Sequence, residues 1–266
     1  MDGREFLGPA LLPGEQIQPS RFGCPPVLDP AQGWVPWQLR DAEDRLHFMG
    51  WASPFLKDLV GPDSPVSWRD LPGWSARLRL ALDGHPGFGW RDEQQRLVGA
   101  DGQLLWSGEG QPLGLERSLF RPLGLMAQSV QLNLLHPSGR LWVGRRSLKK
   151  AIDPGLWDAP VAGGLPSHET PSDALTREAW EEAGVTAEMA RGATFWGPMR
   201  VARLLPDQVH VERLWVYSLK VGEGWQPSPQ DDEVTAFECW TSGEIDARWS
   251  RGEFNHEAAV GLLAFS

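Results

Sequence analysis

The stretch of residues 162–185 constrains the fold of this 266-residue chain most, because it contains a helix signal together with both helix boundaries. Thr170 is a favourable N-cap, and Pro171 suits the first turn, where its missing N–H needs no partner. Gly184 can adopt the left-handed conformation that commonly ends a helix. The sequence therefore predicts a helix over residues 171–183 with a loop on each side.

Three glutamates lie on one face of this predicted helix. Glu178, Glu181 and Glu182 fall within an arc of roughly 100° on a helical wheel. Like charges at this spacing repel each other, so the cluster would weaken an isolated helix. Hard divalent cations prefer carboxylate oxygens, and water bound to such a cation becomes a nucleophile for phosphorus. The cluster therefore predicts a catalytic metal site, with a solvated acidic helix face as the competing interpretation.

The residues around these glutamates complete a longer motif. It reads Gly163-x5-Glu169-x7-Arg177-Glu178-Ala179-x-Glu181-Glu182-x-Gly184-Val185. This motif resembles the complete Nudix box of the Nudix hydrolases. The resemblance implies the α/β fold class, as an α/β/α sandwich with a mixed sheet. It also implies cleavage of a diphosphate linkage by water, with Mg²⁺ or Mn²⁺ as the cofactor.

The same resemblance assigns roles to the residues of the motif. Glu178 and Glu182 are implied to be the main metal ligands, and Glu181 is implied either to share that role or to act as the general base. The backbone carbonyl of Ala162 or Gly163 is implied to add a further ligand, which does not depend on the side chain. These five residues are therefore the candidate catalytic metal site.

Two further motif residues have an implied structural role. Glu169 and Arg177 are expected to pair and to hold the loop against the helix. The helical wheel places Arg177 away from the arc of the three glutamates. We therefore expect its guanidinium to bind Glu169 of the loop and not to contribute to the metal site.

A basic cluster lies just upstream of the motif. It consists of Arg145, Arg146, Lys149 and Lys150, and it is the densest group of positive charges in the chain. Arginine forks match phosphate oxygens, and lysine adds a point charge. The cluster, with Arg145 in it, is therefore a candidate for substrate binding, and a solvated basic turn is the alternative.

Three segments carry a narrower resemblance: residues 140–165, 230–240 and 252–263. In them the chain resembles Nudix proteins with an extra N-terminal domain that are related to thiamine pyrophosphokinase. The resemblance implies action on thiamine diphosphate or its damaged analogues, with release of the monophosphate.

This narrower resemblance also implies roles for four residues outside the Nudix motif. Arg146 and Lys150 would hold the diphosphate, and Asp158 would shape the pocket. Glu233 would serve as an extra metal ligand or as the base. Together with the glutamates of the motif, these residues make up the expected site.

The chain divides into two predicted domains: a smaller α+β domain over residues 1–120, expected to wall the substrate pocket, and the Nudix domain over residues 121–266. Residues 1–33 are rich in Pro and Gly and predict an irregular arm. Apolar spacing predicts helices over residues 38–60 and 72–83.

Strand signals follow these predicted helices. Residues 96–106 predict two short strands joined by an Ala-Asp-Gly turn, and a second hairpin is predicted to turn at Pro137-Ser138-Gly139. The segments 209–221 and 234–240 are further strand candidates. Alternation of these strands with the predicted helix agrees with a mixed α/β sandwich.

Composition limits the partners. A net charge of −10 and a pI near 5.1 argue against binding nucleic acid or an anionic membrane over a broad surface. An acidic protein still binds a small diphosphate when cations lie between the two. The two cysteines, Cys24 and Cys239, are too few for a disulfide framework, and neither a signal peptide nor a membrane span is evident. We expect a cytoplasmic protein, with its oligomeric state open and a homodimer not excluded.

Three alternative functions compete with a thiamine diphosphate hydrolase. Isopentenyl-diphosphate isomerases resemble the motif but need a cysteine just before the helix, where residues 157–164 have none. A non-catalytic Nudix-like binding protein would usually lack one of the glutamates. A hydrolase of dinucleotides or nucleoside diphosphates, such as NADH or ADP-ribose, is the main rival.

Overall fold

The computed structural model describes residues 28–85, 88–99, 102–150 and 152–264. The strands are β1 Val35–Arg40, β2 Leu46–Ala52, β3 Val66–Ser67, β4 Gln94–Arg96, β5 Gly114–Glu116, β6 Met126–Leu135, β7 Leu141–Arg146, β8 Trp157–Asp158, β9 Val161–Gly164, β10 Thr194–Leu204, β11 Val209–Lys220 and β12 Val234–Trp240. The α-helices are α1 Lys57–Val60, α2 Leu71–Leu82, α3 Pro171–Ala183, α4 Ala187–Ala190, α5 Ser242–Ser250 and α6 His256–Leu263. Short 3₁₀ helices occur at Pro30–Gln32, Pro54–Leu56, Gly61–Asp63 and Arg117–Leu119.

The N-terminal region contains a small sheet of strand order β2-β1-β3. The prediction of a helix over residues 38–60 is therefore wrong. Its first half instead forms the antiparallel pair of β1 and β2. Trp37 and Leu39 alternate into the core, a period of two that the helical interpretation overlooked. The Asp41 carboxylate also accepts hydrogen bonds from two backbone N–H groups of the following turn. That local bonding favours a tight turn over a continuous helix.

The prediction of a helix over residues 72–83 is confirmed by α2, which begins one residue earlier and ends one residue earlier. α2 buries Trp74 and Leu78 against the small sheet, and the rings of Trp37 and Trp74 lie 5.1 Å apart. Strands β4 and β5 form a separate antiparallel pair. The predicted turn at Ala100-Asp101 lies outside the described residues.

The larger sheet has the order β10-β11-β6-β7-β12, with β8 paired to β7 and β9 paired to β6. β11 and β6 run parallel and the other pairs are antiparallel, so the predicted mixed sheet is confirmed. The hairpin at Pro137–Gly139 and the strands predicted near β11 and β12 are confirmed as well.

Helices cover both faces of this sheet. Leu175, Ala179 and Ala183 of α3 pack with Leu132 on one face. Residues of α5 and α6 pack on the other face, among them Ile245, Ala259 and Leu262. The layers are those of the expected sandwich, and the site is built where α3 meets β9.

Several predictions lie beyond this description. Most of the arm predicted over residues 1–33, together with Cys24, lies outside the described residues, and the domain division near residue 120 stays a prediction. None of the described helices has the length and apolar character needed to cross a bilayer.

Candidate active site

Helix α3 spans Pro171–Ala183, as its capping residues predicted. The Thr170 side chain accepts from the Asp173 N–H, and the Asp173 carboxylate accepts from the Thr170 N–H. Gly184 ends the helix with a φ of 66°. The local sequence thus fixes where the helix starts, and therefore which residues face β9.

The three glutamates differ in their surroundings. The side chains of Glu178 and Glu182 are only 12% and 6% exposed, whereas that of Glu181 is 42% exposed. Burial raises the pKa of Glu178, although Arg177 beside it acts in the opposite direction. Burial and the neighbouring Glu178 carboxylate raise the pKa of Glu182 well above its usual value. Two of the three glutamates therefore carry an unfavourable buried charge when ionised.

Strand β9 lies directly against this pair of carboxylates. The Ala162 N–H donates to Glu182 Oε2 at 2.7 Å. Gly163 packs so closely on Glu178 that a Cβ atom at this position would overlap the carboxylate. Only glycine leaves this space, so the first motif glycine is required for the approach of β9 to α3.

Arg177 joins the loop to the helix. Its Nε and Nη2 atoms donate to the two carboxylate oxygens of Glu169, each at 2.9 Å, which is a bidentate pair. Arg177 holds the pKa of Glu169 below its usual range. However, Nη1 also donates to Glu178 at 2.7 Å and to Glu181 at 3.2 Å. The expectation that Arg177 points away from the glutamates is wrong, because residues at i and i+4 lie about 40° apart on a helix, which makes Arg177 a neighbour of Glu181.

Lys150 and Glu233 come to the same place from loops. Lys150 Nζ contacts Glu233 Oε2 and lies 3.8 Å from Glu182 Oε1. The Ser147 N–H donates to the Glu233 carbonyl at 2.8 Å, which ties the two loops together. The structure therefore brings Glu178, Glu182, Lys150 and Glu233 into one cluster, although they are separated in sequence.

Arg146 and Asp158 form a buried pair beside this cluster. Arg146 Nη1 donates to Asp158 Oδ2, and its other nitrogens donate to the carbonyls of Ile152 and Asp153. Burial raises the pKa of Asp158 despite the charge of Arg146. Arg146 thus shapes the loop that carries Lys150, and its contact with a phosphate stays a prediction.

Arg145 does not join the cluster. Adjacent strand residues point to opposite faces of a sheet, so Arg145 and Arg146 diverge. Arg145 Nε donates to the Gly155 carbonyl at 3.3 Å, and its Cζ lies 5.7 Å from the centre of the Trp157 ring. It lines an open cleft of about 410 Å³ together with Arg248. The structure therefore places Arg145 apart from the other candidate site residues, and its role in substrate binding stays a prediction.

The donors in this cluster fit a hard divalent cation. Glu178 and Glu182 offer largely buried carboxylates, whereas the side chains of Glu181 and Glu233 are about half exposed. Mg²⁺ and Mn²⁺ prefer oxygen ligands of this kind. In this structure the opposing charges are those of Lys150 and Arg177, and a bound cation would relieve the charge that burial leaves on the two inner glutamates.

A second buried cluster was not anticipated from the sequence. Ligand atoms of His210, Glu212 and Glu257 lie within 4.8 Å of one another. Arg203 Nε lies 2.9 Å from Glu257 Oε1, and Arg203 Nη2 donates to Asp153 at 2.8 Å. Arg203 lies on β10, and His210 and Glu212 lie on the adjacent strand β11. Glu257 lies on α6, and no sequence motif links this helix to those strands. The only hint of this cluster in the sequence is that polar residues occupy inward-facing positions of the strands.

Comparisons with known proteins point to one family. The NUDIX domain model matches residues 127–257. Nudix hydrolase 20 of Arabidopsis thaliana is 37% identical over 128 residues, which cover 46% of this chain and only 34% of that protein. A Nudix hydrolase of Deinococcus radiodurans is 33% identical over 136 residues, 51% of this chain and 72% of that protein. A solved structure from the same organism matches with a TM-score of 0.46 at 23% identity, covering 61% of this chain and 91% of that one.

The match to the plant protein spans about a third of that relative's length. The Deinococcus relative is matched over most of its length, and the family model covers the whole candidate site. The chain therefore belongs to the Nudix family.

Proposed function

We propose that the chain is a metal-dependent hydrolase of phosphoric anhydride bonds. The observation that carries the proposal is the pair of buried glutamates, Glu178 and Glu182, whose charge is only partly compensated by protein groups. A buried carboxylate pair of this kind is unfavourable unless a cation accompanies it. The close approach of Gly163 to Glu178 supports the same site, because it shows that β9 lies directly against these carboxylates.

In the proposed mechanism, Glu178 and Glu182 would hold the cation together with the carbonyl of Ala162 or Gly163. A bound Mg²⁺ or Mn²⁺ ion would supply positive charge that neutralises the diphosphate and lowers the pKa of water. Glu181, at the exposed rim, is available to share the ligand role. The ion pair of Arg177 and Glu169 orients the loop and helix that carry these groups.

Glu233 is the candidate for the general base. It lies at the exposed edge of the cluster and contacts Lys150. In the proposed reaction it accepts the proton of the attacking water. Lys150 then turns to the diphosphate, where its ammonium group offsets the negative charge that the phosphoryl oxygens carry.

For the substrate we propose thiamine diphosphate or a damaged analogue, cleaved to the monophosphate. The support is the sequence resemblance over residues 140–165, 230–240 and 252–263. Dinucleotides and nucleoside diphosphates such as NADH and ADP-ribose are the second candidate class, because the metal site by itself recognises only the diphosphate.

Incubation of the purified chain with Mg²⁺ or Mn²⁺ and a substrate panel tests both levels of this proposal. The panel contains thiamine diphosphate, its ring-oxidised analogues, NADH and ADP-ribose, and product formation is followed by chromatography. We expect metal-dependent monophosphate release, fastest for the thiamine class. Glu182→Gln protein, purified identically, controls for contaminating phosphatases. If no member of the panel is cleaved with either metal, the proposed activity is wrong; if only dinucleotides are cleaved, the proposed substrate is wrong.

An isomerase with a catalytic thiol is disfavoured. Cys239 lies on β12 opposite Trp142, and burial raises the pKa of its thiol, which disfavours the reactive thiolate. Cys24 lies outside the described residues. A binding protein without activity is disfavoured because all the glutamates of the motif are present. A cytoplasmic location, a small-molecule partner and the open oligomeric state stay predictions.

A further inference from the structure

The loop between β7 and β8 brings Lys150 to the candidate active site. The ammonium group of Lys150 contacts Glu233 and lies 3.8 Å from Glu182 Oε1, and the side chain is only 21% exposed. A lysine side chain has many rotamers, so the place that its ammonium group reaches depends on the backbone from which it extends. Whatever fixes this loop therefore bears on the proposed contact of Lys150 with a diphosphate.

The side chain of Asp153, three residues after Lys150, is bonded to two elements outside the loop. Its Oδ2 atom accepts a hydrogen bond from Arg203 Nη2 at 2.8 Å and another from Asn255 Nδ2 at 3.0 Å. Arg203 lies on β10, and Asn255 is the N-cap of α6. Both side chains of the Asp153–Arg203 pair are largely buried, where a charge-assisted hydrogen bond is stronger than at the surface. The carboxylate therefore anchors the loop to β10 and to the start of α6.

The backbone at Asp153 is held from a second direction. Arg146 donates from Nε to the Asp153 carbonyl at 3.1 Å and from Nη2 to the Ile152 carbonyl at 2.9 Å. Asp153 has a φ of 47°, in the left-handed region that residues other than glycine adopt at a cost in free energy. The bonds to Asp153 offset this cost, so their removal should release the segment that follows Lys150.

Asp153 is separate from the groups that would bind the metal. Among the described residues, its carboxylate makes no hydrogen bond or ion pair with Lys150 or with a glutamate of the Nudix motif. Arg203, its charged partner, lies 2.9 Å from Glu257 Oε1, so the anchor extends into the second buried cluster. An effect of Asp153 on the reaction would therefore pass through the loop.

We propose that Asp153 is a positioning residue that holds Lys150 in place for the diphosphate. It does so by anchoring the loop to Arg203 and Asn255. This inference rests on the proposed function and deepens it, because it names the residue that controls how Lys150 meets the substrate. Without the anchor the loop adopts more conformations, and Lys150 lies beside Glu182 in only a fraction of the molecules. The value of kcat/KM then falls by that fraction.

The test is a double-mutant cycle between Asp153 and Lys150. It is read as kcat/KM for anhydride cleavage with Mg²⁺, and as calorimetric affinity for methylenediphosphonate, a diphosphate that cannot be hydrolysed. Asp153→Gly removes both side-chain hydrogen bonds, while glycine adopts the left-handed φ freely. We expect this variant to lose about tenfold in both quantities, with its affinity for Mn²⁺ within about twofold of the wild type.

The Lys150→Met background separates positioning from a general structural effect. There Asp153→Gly should cause a further loss of less than about twofold, because the side chain that Asp153 positions is absent. A substitution that merely destabilised the fold would instead lower both quantities by the same factor with and without Lys150.

Two more variants support this cycle. Asn255→Ser keeps an oxygen that can cap α6, where Asn255 accepts from the Ala258 N–H, but it removes the amide that donates to Asp153. It should lose about threefold, again only when Lys150 is present, and it serves if Asp153→Gly fails to fold. The matched control is Asp44→Gly, since Asp44 has a φ of 64° and accepts from Arg40 at 3.0 Å in the N-terminal region. This control should stay within about twofold of the wild type.

The outcomes distinguish this inference from the proposed function. If the wild type cleaves no anhydride bond with Mg²⁺ or Mn²⁺, the proposed function fails and the role of Asp153 fails with it. If the wild type is active but the loss in Asp153→Gly or Asn255→Ser is absent, or is the same in the Lys150→Met background, only the role of Asp153 fails. A parallel loss of Mn²⁺ affinity, or an equal loss in Asp44→Gly, would also overturn the inference.

Discussion

Two buried acidic clusters in this molecule look alike in composition and differ in electrostatics. In the first, burial raises the pKa of Glu178 and of Glu182. In the second, burial alone would raise the pKa of Glu212, but the hydrogen bond and charge of His210 outweigh it and lower this pKa to about 2. The first cluster thus resists ionisation, whereas the second is already compensated.

The difference lies in the positive partners. Arg203 lies between Glu257 and Asp153, and Arg121 adds charge near Glu212. Glu182, in contrast, has one backbone N–H and a lysine 3.8 Å away. Closeness of carboxylates therefore does not identify a metal site. The informative observation is a buried carboxylate whose charge the protein leaves incompletely compensated. This observation supports the proposal that the metal binds at Glu178 and Glu182 and not at the second cluster.

The largest expected effect is on catalysis. Glu182→Gln should lower turnover by about 100-fold or more, because an amide is a weaker metal ligand than a carboxylate. Glu257→Gln, the matched substitution in the second cluster, should stay within about threefold of the wild type at temperatures below its unfolding transition. Steady-state rates of anhydride cleavage measure both. A Glu257→Gln enzyme that loses as much activity as Glu182→Gln would erase the distinction between the clusters.

A smaller effect is expected on thermal stability with metal. A ligand that binds only the folded state at roughly 100 times its Kd stabilises it by about 2.7 kcal/mol. Mg²⁺ or Mn²⁺ should therefore raise the melting temperature of the wild type and of Glu257→Gln but barely affect Glu182→Gln. Differential scanning calorimetry with and without chelator tests this. Retention of the metal effect in Glu182→Gln together with its loss in Glu257→Gln would move the metal to the second cluster.

The smallest effect concerns pH in the metal-free protein. Because the folded pKa of Glu182 is raised, its contribution to stability is present below the unfolded value near 4.5 and is lost as the pH rises through the folded value. The stability of Glu182→Gln relative to the wild type should therefore increase from acidic to neutral pH. Urea titrations at several pH values measure the difference, and a constant difference would contradict the raised pKa.

Glu212 should show the opposite sign. Its folded pKa is about 2, so its contribution is present above the unfolded value of 4.5 and is lost as the pH falls through about 2. Glu212→Gln should therefore lose the most stability relative to the wild type near neutral pH. If the loss were greatest at the acidic end of the titration, the second cluster would not be the compensated one.

Much of the Nudix portion was predicted from local sequence signals. The capping box at Thr170 and the left-handed Gly184 placed α3 without any tertiary information, since both act through backbone bonds within a few residues. The helix prediction for residues 38–60 was wrong because the apolar residues of this segment fit a helical spacing as well as a strand alternation. There the choice depended on packing of Trp37 against Trp74, which lies far along the chain.

The sequence by itself determined the position of α3, the three glutamates on its face and the family to which the chain belongs, because these depend on spacing over a single helix. Tertiary structure alone decided that Lys150 and Glu233 join Glu182, that Arg145 turns away, and that Asp153 meets Arg203 and Asn255. Contacts of this second kind form between strands and loops distant in sequence, where side-chain direction depends on the pairing of the sheet and not on local spacing.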